Sequence, residues 1–216
     1  MSHEKELQGV GPTHCPCLSV IMPAYNEEAT LTMIVERVIG IPHLLELVIV
    51  DDCSSDKTGE IAKRLAEKYS AIEYVRHDKN KGKTEAQKTG FAMGKGDVVI
   101  VQDADLEYDP RDYPRLIRPL IEGEADVVYG SRFLGEYPQD PSWLHRLGNG
   151  VLTRASNWFT GLRLTDMETC YKAFRRDVLR NLRICQNRFG FEPEVTAKLA
   201  RRRACLLYTS PSPRDS

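Results

Sequence analysis

The chain has 216 residues, 41% hydrophobic and 28% charged, with a formal net charge of −1. That length suits one sizeable domain, and the near-neutral balance excludes general nucleic-acid binding, which needs a basic excess. No apolar run reaches the eighteen or so residues of a membrane span, and Met1 to Thr13 lacks the apolar core of a signal peptide, so export by a standard route is not expected.

Residues 1–17 are polar and read as an irregular N-terminal segment. Leu18-Ser19-Val20-Ile21-Met22 is a first strand, stopped by Pro23. Leu31, Ile34, Val35, Val38 and Ile39 then recur at helical spacing, with Gly40 as the stop. Leu47-Val48-Ile49-Val50 is a second strand, apolar throughout, as a strand buried on both faces should be. Asp56 is placed to cap a helix carrying Ile61, Leu65 and Tyr69. Ile72-Glu73-Tyr74-Val75 is a third strand, and the polar loop Asp78 to Lys83 leads into a helix ending near Gly94.

A fourth strand, Asp97 to Gln102, delivers Asp103-Ala104-Asp105. Pro110 opens a helix with Leu116, Ile117, Leu120 and Ile121, ended by Gly123, and Ala125 to Tyr129 forms a further strand. After Arg132 the pattern predicts helices around 145–160, 175–181 and 191–203. There is no internal repeat. Strands alternating with helices predict an α/β fold with a largely parallel sheet.

Six cysteines are present, Cys15, Cys17, Cys53, Cys170, Cys185 and Cys205. Cys15-Pro16-Cys17 lacks C-x-x-C spacing and no nearby histidine completes a zinc pattern, so reduced thiols are expected. The five histidines are scattered and receive no role.

In open parallel sheets ligands bind outside the carboxyl ends of the strands. Three post-strand segments carry polar residues there: Pro23-Ala24-Tyr25-Asn26-Glu27, Asp51-Asp52-Cys53-Ser54 and Asp103-Ala104-Asp105-Leu106-Glu107. Each has an ordinary structural explanation, since Asn26 and Glu27 can cap a helix and Asp51-Asp52 can open a turn. All three being merely structural on one sheet edge is the poorer account. Residues two apart in an extended segment share a face, so Asp103, Asp105 and Glu107 can present carboxylates together. Such oxygens suit Mg²⁺ or Mn²⁺, which often bind one or two carboxylates plus substrate phosphates.

The runs Ser19 to Glu27, Val50 to Asp56 and Asp103 to Asp105 resemble family 2 glycosyltransferases of the GT-A fold. Asn80-Lys81-Gly82-Lys83, Gly130-Ser131-Arg132-Phe133, Asp166 to Lys172 and Phe189 to Glu194 narrow the resemblance to the polyprenyl-phosphate (dolichyl-phosphate) mannose and glucose synthase branch. It covers roughly residues 18–203, read as one GT-A domain: a Rossmann-like, mostly parallel sheet flanked by helices, with a helical C-terminal part. Residues 204–216, ending Ser210-Pro211-Ser212-Pro213-Arg214-Asp215-Ser216, read as a disordered tail foreign to the natural chain, which is expected to continue differently after about Arg203.

The resemblance implies that Pro23, Ala24, Tyr25, Glu27, Val50 and Ala104 line a nucleotide-sugar pocket. It implies that Asp52 accepts a hydrogen bond from the base. Asp105 would bind a divalent metal on the diphosphate, Glu107 would be a second ligand, and Asp103 would face the ribose or the metal. Lys81, Arg132 and Arg146 would meet donor or acceptor phosphates. Asp166 would act as a base or instead orient Lys172 or an arginine. Cys170 reads as a packing residue.

The implied activity is metal-dependent, inverting transfer of a hexose from a GDP-mannose- or UDP-glucose-type donor to a polyprenyl phosphate. It would take place at the cytoplasmic membrane face. Branch members either continue into transmembrane helices or associate peripherally. A saccharide or protein acceptor, and a non-catalytic nucleotide-sugar binding module, stay open as alternatives. A sugar-nucleotide pyrophosphorylase fits less well, because Pro23 to Glu27 stands where its Gly-rich basic loop would be.

Overall fold

The computed structural model describes residues 17–130, 150, 153–154, 156–162, 164, 166, 169–182, 184 and 191–209. The first strand, β1 (Leu18–Ala24), is fully buried along its length because both its faces are covered. Leu18, Val20, Met22 and Ala24 enter one core cluster, while Ile21, pointing the other way, enters a second. Each fully buried aliphatic side chain of this kind contributes about 1.5–3 kcal/mol.

Three strands join β1 in parallel: β2 (Leu44–Asp51) on one side, β3 (Ile72–Arg76) beyond it, and β4 (Val98–Val101) on the other. The sheet is completed by β5 (Val127–Gly130), β6 (Lys172–Arg175) and β7 (Leu206–Thr209). Its seven strands run in the order β3-β2-β1-β4-β6-β5-β7. Helices α1 (Leu31–Ile39), α2 (Thr58–Lys68) and α4 (Tyr113–Ile121) pack their apolar stripes into the first cluster. Helices α3 (Lys83–Met93), α5 (Arg176–Arg180) and α6 (Phe191–Arg201) pack into the second. The N-cap of α2 is Lys57 rather than the expected Asp56, which sits one residue earlier and accepts the Thr58 N–H on Oδ1 at 2.9 Å.

One contact fixes where α3 lies. A Cβ added at Gly90 would fall 2.1 Å from Cγ2 of Ile21, so α3 crosses β1 at a distance only glycine permits. The helix therefore starts, at Lys83, directly over the carboxyl edge of the sheet.

The sheet departs from expectation in two places. The region after Arg132 is not purely helical: β6 sits inside the sheet, antiparallel to both β4 and β5. Its four residues, Lys172-Ala173-Phe174-Arg175, carry too little periodicity to announce a strand. Pairing with two neighbours imposes it. The expected disordered tail also fails over residues 206–209, which form β7 parallel to β5. Cys205 O accepts the Asp126 and Val127 N–H groups at 2.9 and 3.1 Å, and Leu206 packs on the second cluster, so the β5 edge is covered rather than open. No helix among the described residues is long and apolar enough to cross a membrane.

Candidate active site

Register brings the three polar segments together. Pro23 pairs with Val50 and Ala24 with Asp51, and the Asp52 N–H donates to Ala24 O at 2.9 Å, so β1 and β2 end flush. The turn after β1 is stitched to the turn after β2. Asn26, at φ 56°, accepts the Ser55 N–H on Oδ1 at 2.9 Å and donates its own N–H to Ser54 Oγ at 3.0 Å. The Glu27 N–H donates to Thr58 Oγ1 at 2.7 Å.

The two neighbouring aspartates divide their work. Asp51 is fully buried, accepts the Ser54 N–H at 2.8 Å and lies 3.5 Å from the Arg76 guanidinium, so it shapes the turn. Asp52 faces the pocket and gathers a loop. Its Oδ1 meets His77 Nδ1 at 2.7 Å and the Lys81 N–H at 2.9 Å, while Oδ2 accepts the Gly82 N–H at 2.6 Å. A carboxylate has about four lone-pair sites, so one remains on Oδ2. His77 Nε2 in turn meets Thr89 Oγ1 of α3 at 2.9 Å. The loop before α3 is thereby fastened as a wall of the pocket. His77 was given no role from the sequence, and nothing in its sequence neighbourhood signals one; only the fold places it under Asp52.

The pocket so formed encloses about 270 Å³. It is lined by the predicted Pro23, Ala24, Tyr25, Glu27, Asp52, Asp103, Ala104 and Asp105, joined by Asn80, Gly82, Lys83 and Ala86. Two predicted lining residues are not there. Val50 is wholly buried in the second core cluster, because its side chain points away from the edge. Lys81 turns to Asp78, with its ammonium 3.0 Å from that carboxylate.

Among the described residues, the cation that does reach the pocket is Lys83, whose Nζ lies 2.6 and 2.7 Å from the two oxygens of Asp103. Gly82, at φ 91°, turns the chain so that α3 begins with this lysine over the edge. Burial works to lower the Lys83 pKa, but the electrostatic influence of Cys170, the charge and hydrogen bond of Asp103, and Glu192 outweigh it and hold the ammonium charged. The signal was its place as the first residue of the helical pattern after Gly82.

The carboxylates after β4 separate. Asp105 is half-buried, accepts the Glu107 N–H at 3.0 Å, and has its pKa pushed up by burial and by the charge of Asp103. Glu107 lines a different cavity, of about 200 Å³, reached past the Lys83–Asp103 pair and lined also by Gln87, Cys170, Lys172 and Glu192. Among the described residues no three His, Cys, Asp or Glu side chains cluster as metal ligands. The expected trio of Asp103, Asp105 and Glu107 is therefore not assembled, because the chain bends after Asp105 instead of staying extended.

Asp166 is fully buried and lines neither cavity. Lys172 is buried too, donating to Thr169 O and lying over the Tyr129 ring at 5.1 Å. Burial pushes its pKa down, while charge on Glu192 and Asp166 works the other way. Desolvation raises the Cys170 thiol well above its usual range, in keeping with packing. Arg132 and Arg146 lie outside the described residues.

The profile of Glycosyl transferase family 2 matches residues 19–183. The undecaprenyl-phosphate 4-deoxy-4-formamido-L-arabinose transferase of Aeromonas hydrophila subsp. hydrophila is 32% identical over 195 residues, 88% of this chain and 58% of that protein. The enzyme of the same name from Pseudomonas savastanoi pv. phaseolicola is 34% identical over 190 residues, 85% of this chain and 55% of that protein. The chain thus spans a little over half the length of the curated relatives it matches. Among solved structures, glucosyl-3-phosphoglycerate synthase from Mycobacterium tuberculosis with Mn²⁺, UDP-glucose and phosphoglyceric acid superposes with a TM-score of 0.72 at 22% identity. That match covers 92% of this chain and 72% of the other. It establishes the GT-A fold.

Proposed function

Because the chain belongs to glycosyl transferase family 2, we propose that it moves a glycosyl group from a nucleoside-diphosphate sugar to a polyprenyl phosphate at the cytoplasmic membrane surface. The observation that carries the donor half is the convergence of Asp52, Lys83, Asp103 and Asp105 on one pocket at the carboxyl edge of the sheet. The acceptor half is supported by the relatives, whose names specify undecaprenyl phosphate. Those names also specify a formamido-arabinose, so the transferred group is a glycosyl unit of a wider class than the hexose that the resemblance implied.

Asp52 receives the ring N–H of the base on its remaining Oδ2 site. Lys83 sets its charge beside the diphosphate, where a fixed cation stabilises the negative charge that builds up in the transition state. Mg²⁺ or Mn²⁺ fits the remaining groups, since such ions need only one or two carboxylates plus substrate phosphates. Asp105 is the ligand assigned, with Asp103 second and Glu107 set aside. When bound, the ion supplies Lewis-acid stabilisation of the leaving diphosphate. The neighbouring fold supports this, having been solved with Mn²⁺ or Mg²⁺ together with UDP.

A phosphate monoester with a second pKa of about 6 is largely dianionic at neutral pH. It attacks the anomeric carbon, opposite the leaving diphosphate, without a strong base. This agrees with the burial of Asp166 away from both cavities. Arg132 and Arg146 are proposed to hold the phosphates.

The test is transfer of radiolabel from UDP- and GDP-sugars, with Mn²⁺ and a short-chain polyprenyl phosphate, into an organic-extractable product. Label appearing there supports the reading. Donor binding with no transfer to any polyprenyl phosphate overturns it.

A further inference from the structure

Trp158 and Phe159 are 82% and 79% exposed, far more than any other large apolar side chain among the described residues. Their ring centroids are 4.9 Å apart. They stand on a braced turn. Residues 156–160 are helical, and Gly161, at φ 71°, ends them. Asn157 then clamps the returning chain, accepting the Leu164 N–H at 2.7 Å and donating to Leu164 O at 2.9 Å, and Leu164 is buried. Two aromatic rings are thus held out into solvent by a fixed backbone.

The sequence around them is one-sided in charge. Residues 141–165 contain Arg146, Arg154 and Arg163 and no acidic residue, in a chain where 31 of 216 residues are Asp or Glu. Arg154 is itself exposed, one helical turn before Trp158. We propose that Trp158 and Phe159 are the insertion point by which the domain docks on an anionic phospholipid surface. The proposal rests on the lipid-acceptor reading above and names the surface that brings the domain to it.

The chemistry fits a bilayer interface. Tryptophan favours the boundary where an apolar ring and a polar N–H are both satisfied. Arg154, exposed one turn away, gains from the negative surface potential of anionic lipids. A second copy of the chain fits less well, because a two-fold contact centred here would bring the exposed Arg154 of each copy together with no described acidic partner beside it.

The two tryptophans, Trp143 and Trp158, both lie in the acid-free stretch, so Trp143→Phe leaves Trp158 as the sole indole reporter. The full chain is titrated with vesicles of phosphatidylcholine alone and of phosphatidylcholine with phosphatidylglycerol. With the anionic vesicles Trp158 emission should shift to shorter wavelength and be quenched by brominated lipid. In sedimentation with the same vesicles, Trp158→Ala/Phe159→Ala should bind at least about tenfold more weakly, and Arg154→Gln about fivefold more weakly. The double variant should keep its nucleotide thermal shift and its turnover on a short, water-soluble polyprenyl phosphate.

Unchanged sedimentation of the double variant, or equal binding to neutral vesicles, overturns the proposal. So does a concentration-dependent dimer that the double variant abolishes while wild type ignores vesicles. If wild type docks through Trp158 but transfers sugar to no polyprenyl phosphate, the docking surface stands and the acceptor reading falls.

Discussion

Lys83 grips both carboxylate oxygens of Asp103, at 2.6 and 2.7 Å, on the border between the two cavities of the site. The pair is partly exposed, so its contribution to stability is small, about 0–1 kcal/mol. Its value is positional: it holds a cation in the pocket proposed for the donor diphosphate. Lys83→Met is therefore expected to lower kcat/KM about a hundredfold, the scale set by loss of one transition-state charge partner, with little change in melting temperature. Lys81→Met, whose ammonium faces Asp78, should change turnover less than about twofold, in line with a surface pair. Steady-state kinetics of the two variants side by side decide which lysine serves the pocket.

His77 supports the pocket wall through Asp52. His77→Ala removes a partner from a nearly buried carboxylate, and hydrogen bonds to charged groups contribute about 1.5–3 kcal/mol. The expected result is weaker donor binding, with the Lys81 and Gly82 amides exchanging faster. His77→Asn, which can replace Nδ1–H with an amide donor, should restore much of both, and His77→Gln less. Hydrogen exchange of the 78–83 segment together with donor calorimetry checks this. Unchanged exchange in His77→Ala would mean that Asp52 holds the loop alone.

Asp105 carries a raised pKa, so the folded chain binds its proton more tightly than the unfolded chain does. Its contribution to stability is present at low pH and is lost as pH rises through the folded pKa. Asp105→Asn should accordingly melt no lower than wild type at neutral pH, while losing transfer by two orders of magnitude or more, about the scale of a lost transition-state contact. Mn²⁺ with UDP should raise the wild-type melting temperature by mass action and leave that of Asp105→Asn unmoved. A full Mn²⁺ response in the variant removes Asp105 from the metal site.

Gly90→Ala forces a methyl into Ile21 at the α3–β1 crossing. Overpacking of this kind costs about 1–3 kcal/mol. Ile21→Ala in the same chain removes the clash, so the double variant should be more stable than the sum of the single effects predicts. Denaturant unfolding of the four chains measures the coupling. Additive effects would mean that α3 has room to move.

Much of the parallel half of the fold is legible in the residues. Leu47-Val48-Ile49-Val50 announces a doubly buried strand, and Leu31, Ile34, Val35 and Val38 announce a helix face, because period and burial are local consequences of backbone geometry. The pocket's first lining, Pro23 to Glu27 with Asp52, Asp103 and Asp105, follows from the rule that ligands meet parallel sheets at their carboxyl ends. β6 and β7 were not legible, since four residues each give too short a pattern and their strands exist only through their neighbours.

What the sequence by itself determined is the family, the alternating α/β order and the set of carboxylates at one edge, all of which are local patterns. Tertiary structure alone decided which atom each of those groups meets. It set His77 under Asp52, gave Lys83 rather than Lys81 the pocket, parted Asp105 from Glu107, and left Trp158 and Phe159 bare at the tip of a braced turn. The reason is physical: a residue's type and spacing fix what chemistry it can offer, whereas its partner is fixed by contacts between segments far apart in the chain.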